Sequence, residues 1–189
     1  MRKTLPPWIC VLSVAGLMIL AAASEFSMGR KPWGVGGTPG LWSGDIWSEH
    51  NSQYLADPYS FTHVTHGVVF YGLLSLASKT LPASTRLILA VGAESAWEVL
   101  ENTDMVINRY RAETISLNYY GDSIVNSMAD ILACILGFVL ASRFPRRVTV
   151  IGTIVLEIVL VLWIRDNLSL NILMLLRPSH AVRMWQLGK

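Results

Sequence analysis

Gly121-Asp122-Ser123-Ile124-Val125-Asn126-Ser127-Met128-Ala129-Asp130 opens a segment that then runs almost wholly apolar to Ser142. In a helix, Asp122, Asn126 and Asp130 stand at i, i+4 and i+8 and project from one face with modest drift. A polar stripe on the first turns of a lipid-length helix is expensive unless it faces other protein or a water-filled cavity. The stretch therefore predicts a membrane protein with a buried acidic site.

Composition points the same way. Of 189 residues, 52% are hydrophobic and 15% charged, against about 25% charged in a soluble domain. The formal charge of +2 is too small to imply nucleic acid. Cys10 and Cys134 both sit inside apolar runs, which argues against a disulfide framework, and neither has metal-site spacing. No G-x-x-x-x-G-K, G-x-S-x-G or H-E-x-x-H pattern occurs, so nucleotide and zincin chemistry are disfavoured. One all-α domain, a polytopic helix bundle, is the expectation.

Outward from the opening stretch, the chain divides into four parts. Residues 1–24 are a basic start and an apolar run, Trp8 to Ala23, closed by Ala21-Ala22-Ala23-Ser24. That run is short for a span of ~20 residues and has the shape of a signal peptide. An uncleaved signal-anchor helix and a cleaved signal both stay open, and both deliver the following chain to the same side. Residues 25–60 form an outer loop whose glycines and prolines forbid long regular structure. Its Trp33, Trp42 and Trp47 suit the headgroup level.

Residues 61–166 hold four further spans: Phe61–Leu81, Arg86–Asn102, Ser123–Ser142 and Val148–Ile164, for five in all. Residues 167–189 are an interfacial or re-entrant helix, Asn167–Leu176, and a basic tail. Arg2 and Lys3 set the N-terminus in the cytoplasm, and the hairpins with Lys79 and Arg86 and with Arg143, Arg146 and Arg147 also fall inside. The loops 25–60 and 103–121 fall outside. The tail, with Arg177, Arg183 and Lys189, breaks this alternation unless Asn167–Leu176 dips back.

This topology gathers chemistry. His63 and His66 begin a descent from the outer face, Glu98 and Glu101 end a rise to it, and Asp122, Asn126 and Asp130 begin the next descent. At 1.5 Å per residue all lie within roughly 15 Å of the outer surface, with Glu94 a turn deeper. Carboxylates facing lipid at the bilayer centre cost at least ~2.5 kcal/mol each. They must therefore face inward and be neutralised by protons, partners or a cation. Arg109, Arg111 and Arg165 are the candidate cationic partners.

Two functional readings follow, beside a purely structural polar network or a non-catalytic scaffold. In one, His63, His66, Glu98 and Asp122 hold one divalent ion. Mixed imidazole and carboxylate ligands suit zinc, manganese or iron, while carboxylates with Asn126 suit magnesium or calcium. Glu98, Glu101, Asp122 and Asp130 would then be catalytic in an envelope enzyme acting on a membrane lipid or lipid-linked ester or phosphoester. Arg109, Arg111, Asn126 and Asn102 would bind its headgroup. In the other, one carboxylate stays protonated and the site serves an ion- or proton-coupled transporter. Polar residues concentrated in the outer half favour the enzyme. Glu157 reads as a partner for a neighbouring helix, and Tyr119, Tyr120, Trp97 and Trp163 as interface and packing residues.

The order of motifs resembles an uncharacterised family of multi-pass inner-membrane proteins, mostly alphaproteobacterial, classed as a domain of unknown function. The residues that carry it are Leu41-Trp42-Ser43-Gly44-Asp45, Glu49 with Asn51-Ser52-Gln53, and His63 with His66-Gly67. They continue through Glu94 with Trp97-Glu98, Glu101-Asn102, Arg109-Tyr110-Arg111, Tyr119 to Ser123 with Asn126-Ser127 and Asp130, and Arg165-Asp166-Asn167. The resemblance implies localisation and topology and no activity. A weaker likeness is to VanZ-like membrane proteins, which also place acidic residues on one helix and an Asp and Asn at the start of the next. The proline- and glycine-containing segment of those proteins is replaced here by Asp104–Asn108.

Overall fold

The computed structural model describes residues 5–116 and 118–188; Arg2, Lys3 and Lys189, used above for orientation, lie outside them. Among the described residues the chain is all α, with eight helices and no strand. They are α1 (Pro7–Ser27), α2 (Ser60–Ser75), α3 (Ala83–Glu101), α4 (Asp104–Glu113), α5 (Ile124–Arg143), α6 (Arg146–Ile164), α7 (Leu168–Leu176) and α8 (His180–Gln186).

Local chemistry sets most of the ends. Pro7 opens α1 where its missing N–H has no partner to lose. Ser123, Asn167 and Ser179 each accept a hydrogen bond from the backbone N–H three residues on, at the starts of α5, α7 and α8. Arg165 stops α6 in the left-handed region at φ 55°.

Of the five expected spans, three are long and apolar enough to cross a membrane by themselves: α1, α5 and α6. The other two do not meet that measure of length and composition. Helix α2 has 16 residues, about 24 Å of rise, and α3 carries Arg86, Glu94, Glu98 and Glu101. Two helices were not anticipated: α4 lies inside the expected outer loop, and α8 inside the basic tail. The expected short helix at 167–176 is α7.

The bundle is organised on α2 against α5. A Cβ on Gly67 would sit 1.9 Å from the Cys134 carbonyl oxygen, and one on Gly137 would sit 2.0 Å from that of Val64. The two backbones thus touch across paired glycines, the close approach that small residues allow between membrane helices. Helix α1 closes the other side, where Ala21, Val91 and Ile131 form a core joined by Leu17, Met18 and Ile135. Helix α6 hangs outside, with Val148, Ile151, Ile154, Val155, Ile158 and Leu162 exposed. That face suits acyl chains.

The loop before α2 is irregular, as its composition demands, with one 3-10 turn at Val35–Gly37 and one bridge between Trp42 and Ala56. It is nevertheless seated firmly. Ile124 and Val125, whose N–H groups have no helical acceptor at the start of α5, donate to the Lys31 and Pro32 carbonyls. Ser123 donates from its hydroxyl to the Gln53 carbonyl at 3.0 Å, and Asn126 donates to that of Tyr54 at 2.9 Å.

Candidate functional site

Helices α2 and α5 begin, and α1, α3 and α6 end, at one end of the bundle, and that end holds the ionisable groups. His63 and His66, one helical turn apart on α2, both turn toward Glu94 of α3. Nδ1 of His63 lies 2.6 Å from Glu94 Oε1, and Nδ1 of His66 lies 3.0 Å from each Glu94 oxygen. The same His63 nitrogen is 3.2 Å from Glu98 Oε1, and its Nε2 is 3.8 Å from Asp130 Oδ2 on α5. A carboxylate held between two imidazoles fixes both rings.

A second group adjoins the first. Glu98, Glu101 and Asp122 offer carboxylate oxygens within 4.8 Å of one another, as do the ligand atoms of His63, His66 and Glu94. Asp122 is placed by Asn102, whose side chain accepts from the Asp122 backbone N–H at 2.7 Å and donates to its Oδ2 at 3.1 Å. Tyr119 donates to the same oxygen at 2.9 Å. Gly121 makes the turn possible: its φ is +95°, and a Cβ there would lie 2.8 Å from Asn102 Oδ1. Burial pushes the Asp122 carboxyl up to about 6, with the Tyr119 hydrogen bond opposing it. The Tyr119 hydroxyl is held well above its ordinary value by burial and by the charge of Asp122, so it stays a donor.

Burial of charge is the site's main feature. Glu25, Glu94, Glu98, Asp122 and Asp130 are all buried, and Glu101 is half-buried. Among the described residues no lysine or arginine forms an ion pair with any of these six. Both oxygens of Glu98 and of Glu25, and Oδ1 of Asp130, find no hydrogen-bond donor at bonding geometry. Leaving such groups charged and unpartnered is costly.

These groups border a cavity of about 450 Å³. His63, His66, Glu94, Glu101, Asp122 and Asp130 line its polar wall. Val69, Phe70, Trp97, Leu168, Ile172 and Leu175 form its apolar side. A pocket with a few convergent polar groups on an apolar wall is the usual form of a ligand site.

The sequence-derived site residues meet here unevenly. The four expected metal ligands are divided: His63 and His66 group with Glu94, whereas Glu98 and Asp122 group with Glu101. Asn102 and Asn126, expected at a headgroup, are engaged in holding Asp122 and the Tyr54 carbonyl, and neither lines the cavity. Arg109 and Arg111 also lie off the cavity wall. Arg109 donates to the Leu175 carbonyl at 3.0 Å and Arg111 to that of Tyr119, tying α4 to α7 and to the following turn. Arg165 donates to the Trp185 carbonyl, away from the acidic groups. Tyr119 and Trp97, expected as interface and packing residues, both line the cavity, and Tyr119 holds Asp122. Trp163 does pack, stacked on Trp42 with centroids 6.1 Å apart. Glu157 accepts from Ser169 of α7, the neighbouring-helix role expected of it.

Glu25 was missed altogether. It continues the inward face of α1, Val14, Leu17, Met18 and Ala21, at helical spacing, with Ser127 its polar neighbour. The spacing was legible, but in an apolar helix it lacks the polar contrast that would mark one face. Asp57, in the loop before α2, belongs to the site as well. It is buried, accepts from the Ser52 and Tyr59 N–H groups at 2.7 Å, and lines the cavity.

Fold and site together define a helical membrane-protein bundle with a buried histidine-carboxylate layer under a seated outer loop. The chain belongs to the family described as "Protein of unknown function (DUF2585)", whose model matches residues 25–188. It is 49% identical over 181 residues to a UPF0314 protein of Sinorhizobium fredii, covering 96% of this chain and 92% of the relative. A UPF0314 protein of Paracoccus denitrificans is 48% identical over 185 residues, covering 98% and 94%. One of Sphingopyxis alaskensis is 43% identical over 177 residues, covering 94% of each. No solved structure matches the chain. The likeness to VanZ-like proteins gains nothing from these matches.

Proposed function

We propose that the protein is a metal-dependent enzyme of the bacterial inner membrane, acting on a lipid or lipid-linked substrate at the periplasmic face. The observation that carries this is the convergence of His63, His66 and Glu94 on the wall of a cavity that also has an apolar side. Imidazole and carboxylate donors suit zinc or manganese. The apolar wall of Val69, Phe70, Leu168, Ile172 and Leu175 suits an acyl or prenyl chain. Glu101 and Asp130, also on the wall, are the groups available for proton transfer beside the ion.

Orientation follows from charge. Lys79, Arg86, Arg143, Arg146 and Arg147 cluster at the α2–α3 and α5–α6 turns, at the end opposite the site. That end faces the cytoplasm by the distribution of Lys and Arg, with the N-terminus, and α1 is retained as a spanning helix. A transport pathway is less well supported. Beyond the acidic layer the interior turns to Val91, Ile131 and Phe138.

Metal analysis of full-length protein purified in detergent tests the reading. Divalent metal at one equivalent or more per chain is expected, lost in His63→Ala and His66→Ala while both variants keep their elution volume and helicity. Co-purified lipid, identified by mass spectrometry, should fall in Leu175→Trp, which fills the apolar wall. Metal-free wild type with both histidine variants normally folded would leave a helical scaffold and overturn the enzyme.

A further inference from the structure

The buried layer holds more carboxyl groups than one ion can engage. Six carboxylates (Glu25, Glu94, Glu98, Glu101, Asp122 and Asp130) face at most two imidazolium charges, with no lysine or arginine paired to them among the described residues. One divalent ion among His63, His66 and Glu94 would leave the Glu98–Glu101–Asp122 group uncompensated.

From this geometry we infer a second divalent-cation site formed by Glu98, Glu101 and Asp122, so that the layer holds two adjacent ions rather than one. Three observations beyond the acidic cluster point to an ion there. Glu98 is 1% exposed, and neither of its oxygens meets a donor at hydrogen-bonding geometry, although oxygen ligands of this kind are normally satisfied when buried. Asp122 is held rigidly by Asn102 and Tyr119, as outer-sphere partners hold a ligating carboxylate. Glu98 also lies 3.2 Å from the His63 nitrogen that contacts Glu94, so the two groups share a border and Glu98 is placed to bridge them. Ions about 3.5–4 Å apart with a bridging carboxylate are the arrangement that clamps a phosphate oxygen between them. Three carboxylates with no imidazole make the second site the harder of the two, suited to manganese or magnesium.

The inference rests on the metal reading above, yet it can fail alone. Full-length protein in detergent is stripped with chelator, reloaded with Mn²⁺, desalted, and read by elemental analysis and electron paramagnetic resonance. Wild type should retain two Mn²⁺ per chain with a spin-coupled spectrum. Glu101→Gln should retain one, with the six-line signal of an isolated ion, and Asp122→Asn should do likewise. One Mn²⁺ in wild type, lost in His66→Ala and kept in Glu101→Gln, overturns the second site and leaves the first. Two Mn²⁺ kept in both carboxylate variants overturns this ligand assignment. No Mn²⁺ in wild type overturns both readings. Should either variant elute as aggregate, the wild-type stoichiometry and spin coupling decide by themselves.

Discussion

Helices α5 and α6 are neighbours in the chain and almost equally apolar, yet they do opposite jobs. Within their apolar stretches 44% of α5 is buried in protein, against 11% of α6. The difference lies in what interrupts the apolar run. On α5 the interruptions are small or polar and share one face: Asn126, Asp130, Cys134, Gly137 and Ala141 recur at spacings of three or four and are all buried. On α6 they are Gly152, Thr153 and Glu157 among exposed valines and isoleucines, and only Leu160 and Ile164 are buried. Hydropathy alone brings both into a membrane. Position within the bundle follows from where the backbone can be approached.

The sharpest way to break this comparison is a matched glycine exchange. Gly67→Leu or Gly137→Leu drives a side chain into the partner's carbonyl, with its Cβ already at about 2 Å. Neither helix can yield without separating, so a loss beyond the 1–3 kcal/mol typical of overpacking is expected. It should appear as aggregation in gel filtration and loss of bound metal together. Gly152→Leu on α6 meets nothing within 4 Å and should elute and bind metal as wild type does. Equal tolerance at Gly137 and Gly152 would dissolve the distinction between the two helices.

That contrast also marks how much was readable from residues alone. The acidic stripe at Asp122, Asn126 and Asp130 and the pairs on α2 and α3 follow from helical spacing and from the expense of charge in lipid, so the shared layer was foreseeable. Helix α4 was not. Its inward residues Val106, Ile107 and Tyr110 are few and sit among charges, so it reads as loop without tertiary context. The placement of Arg109 and Arg111 was hidden for a related reason. Two arginines beside an acidic site suggest anion binding, but with α4 formed they reach backbone carbonyls instead. The convergence of both His63 and His66 on Glu94 depends on the α2–α3 crossing, which no local spacing specifies.

The next effect distinguishes the site end of α5 by its pH response. In the metal-free protein Asp122 and Asp166 both have carboxyl groups raised to about 6, chiefly by burial. Their folded values exceed the unfolded ones, so the native state binds protons more tightly between about pH 4 and 6. Stability contributed by protonation is present below that window and is lost as pH rises through it. For Asp122 the shift from 3.8 to about 6 corresponds to about 3 kcal/mol. Thermal unfolding of chelator-stripped protein should therefore move up by several degrees from pH 7.5 to pH 5, and by less in Asp122→Asn. Metal-loaded protein should show the opposite trend, because protons compete with the cation for the same oxygens. Identical pH trends with and without metal would detach Asp122 from the ion.

The smallest effect compares the two acids carried in the bodies of these helices. Asp130 of α5 lines the cavity, while Glu157 of α6 accepts from the Ser169 N–H at 3.2 Å and from its hydroxyl at 3.0 Å. The Glu157 bonds anchor the start of α7 and can be kept by an amide oxygen, so Glu157→Gln should change stability by less than about 1 kcal/mol. Its metal content should match wild type. Asp130→Asn keeps size and hydrogen-bonding capacity but removes a charge facing His63 Nε2 at 3.8 Å, and should lower metal content measurably at unchanged elution volume. If Glu157→Gln releases metal as readily as Asp130→Asn, the ion-binding region extends along the groove between α6 and α7. The functional boundary would then follow the carboxylates rather than the division between the protein-buried and the exposed helix.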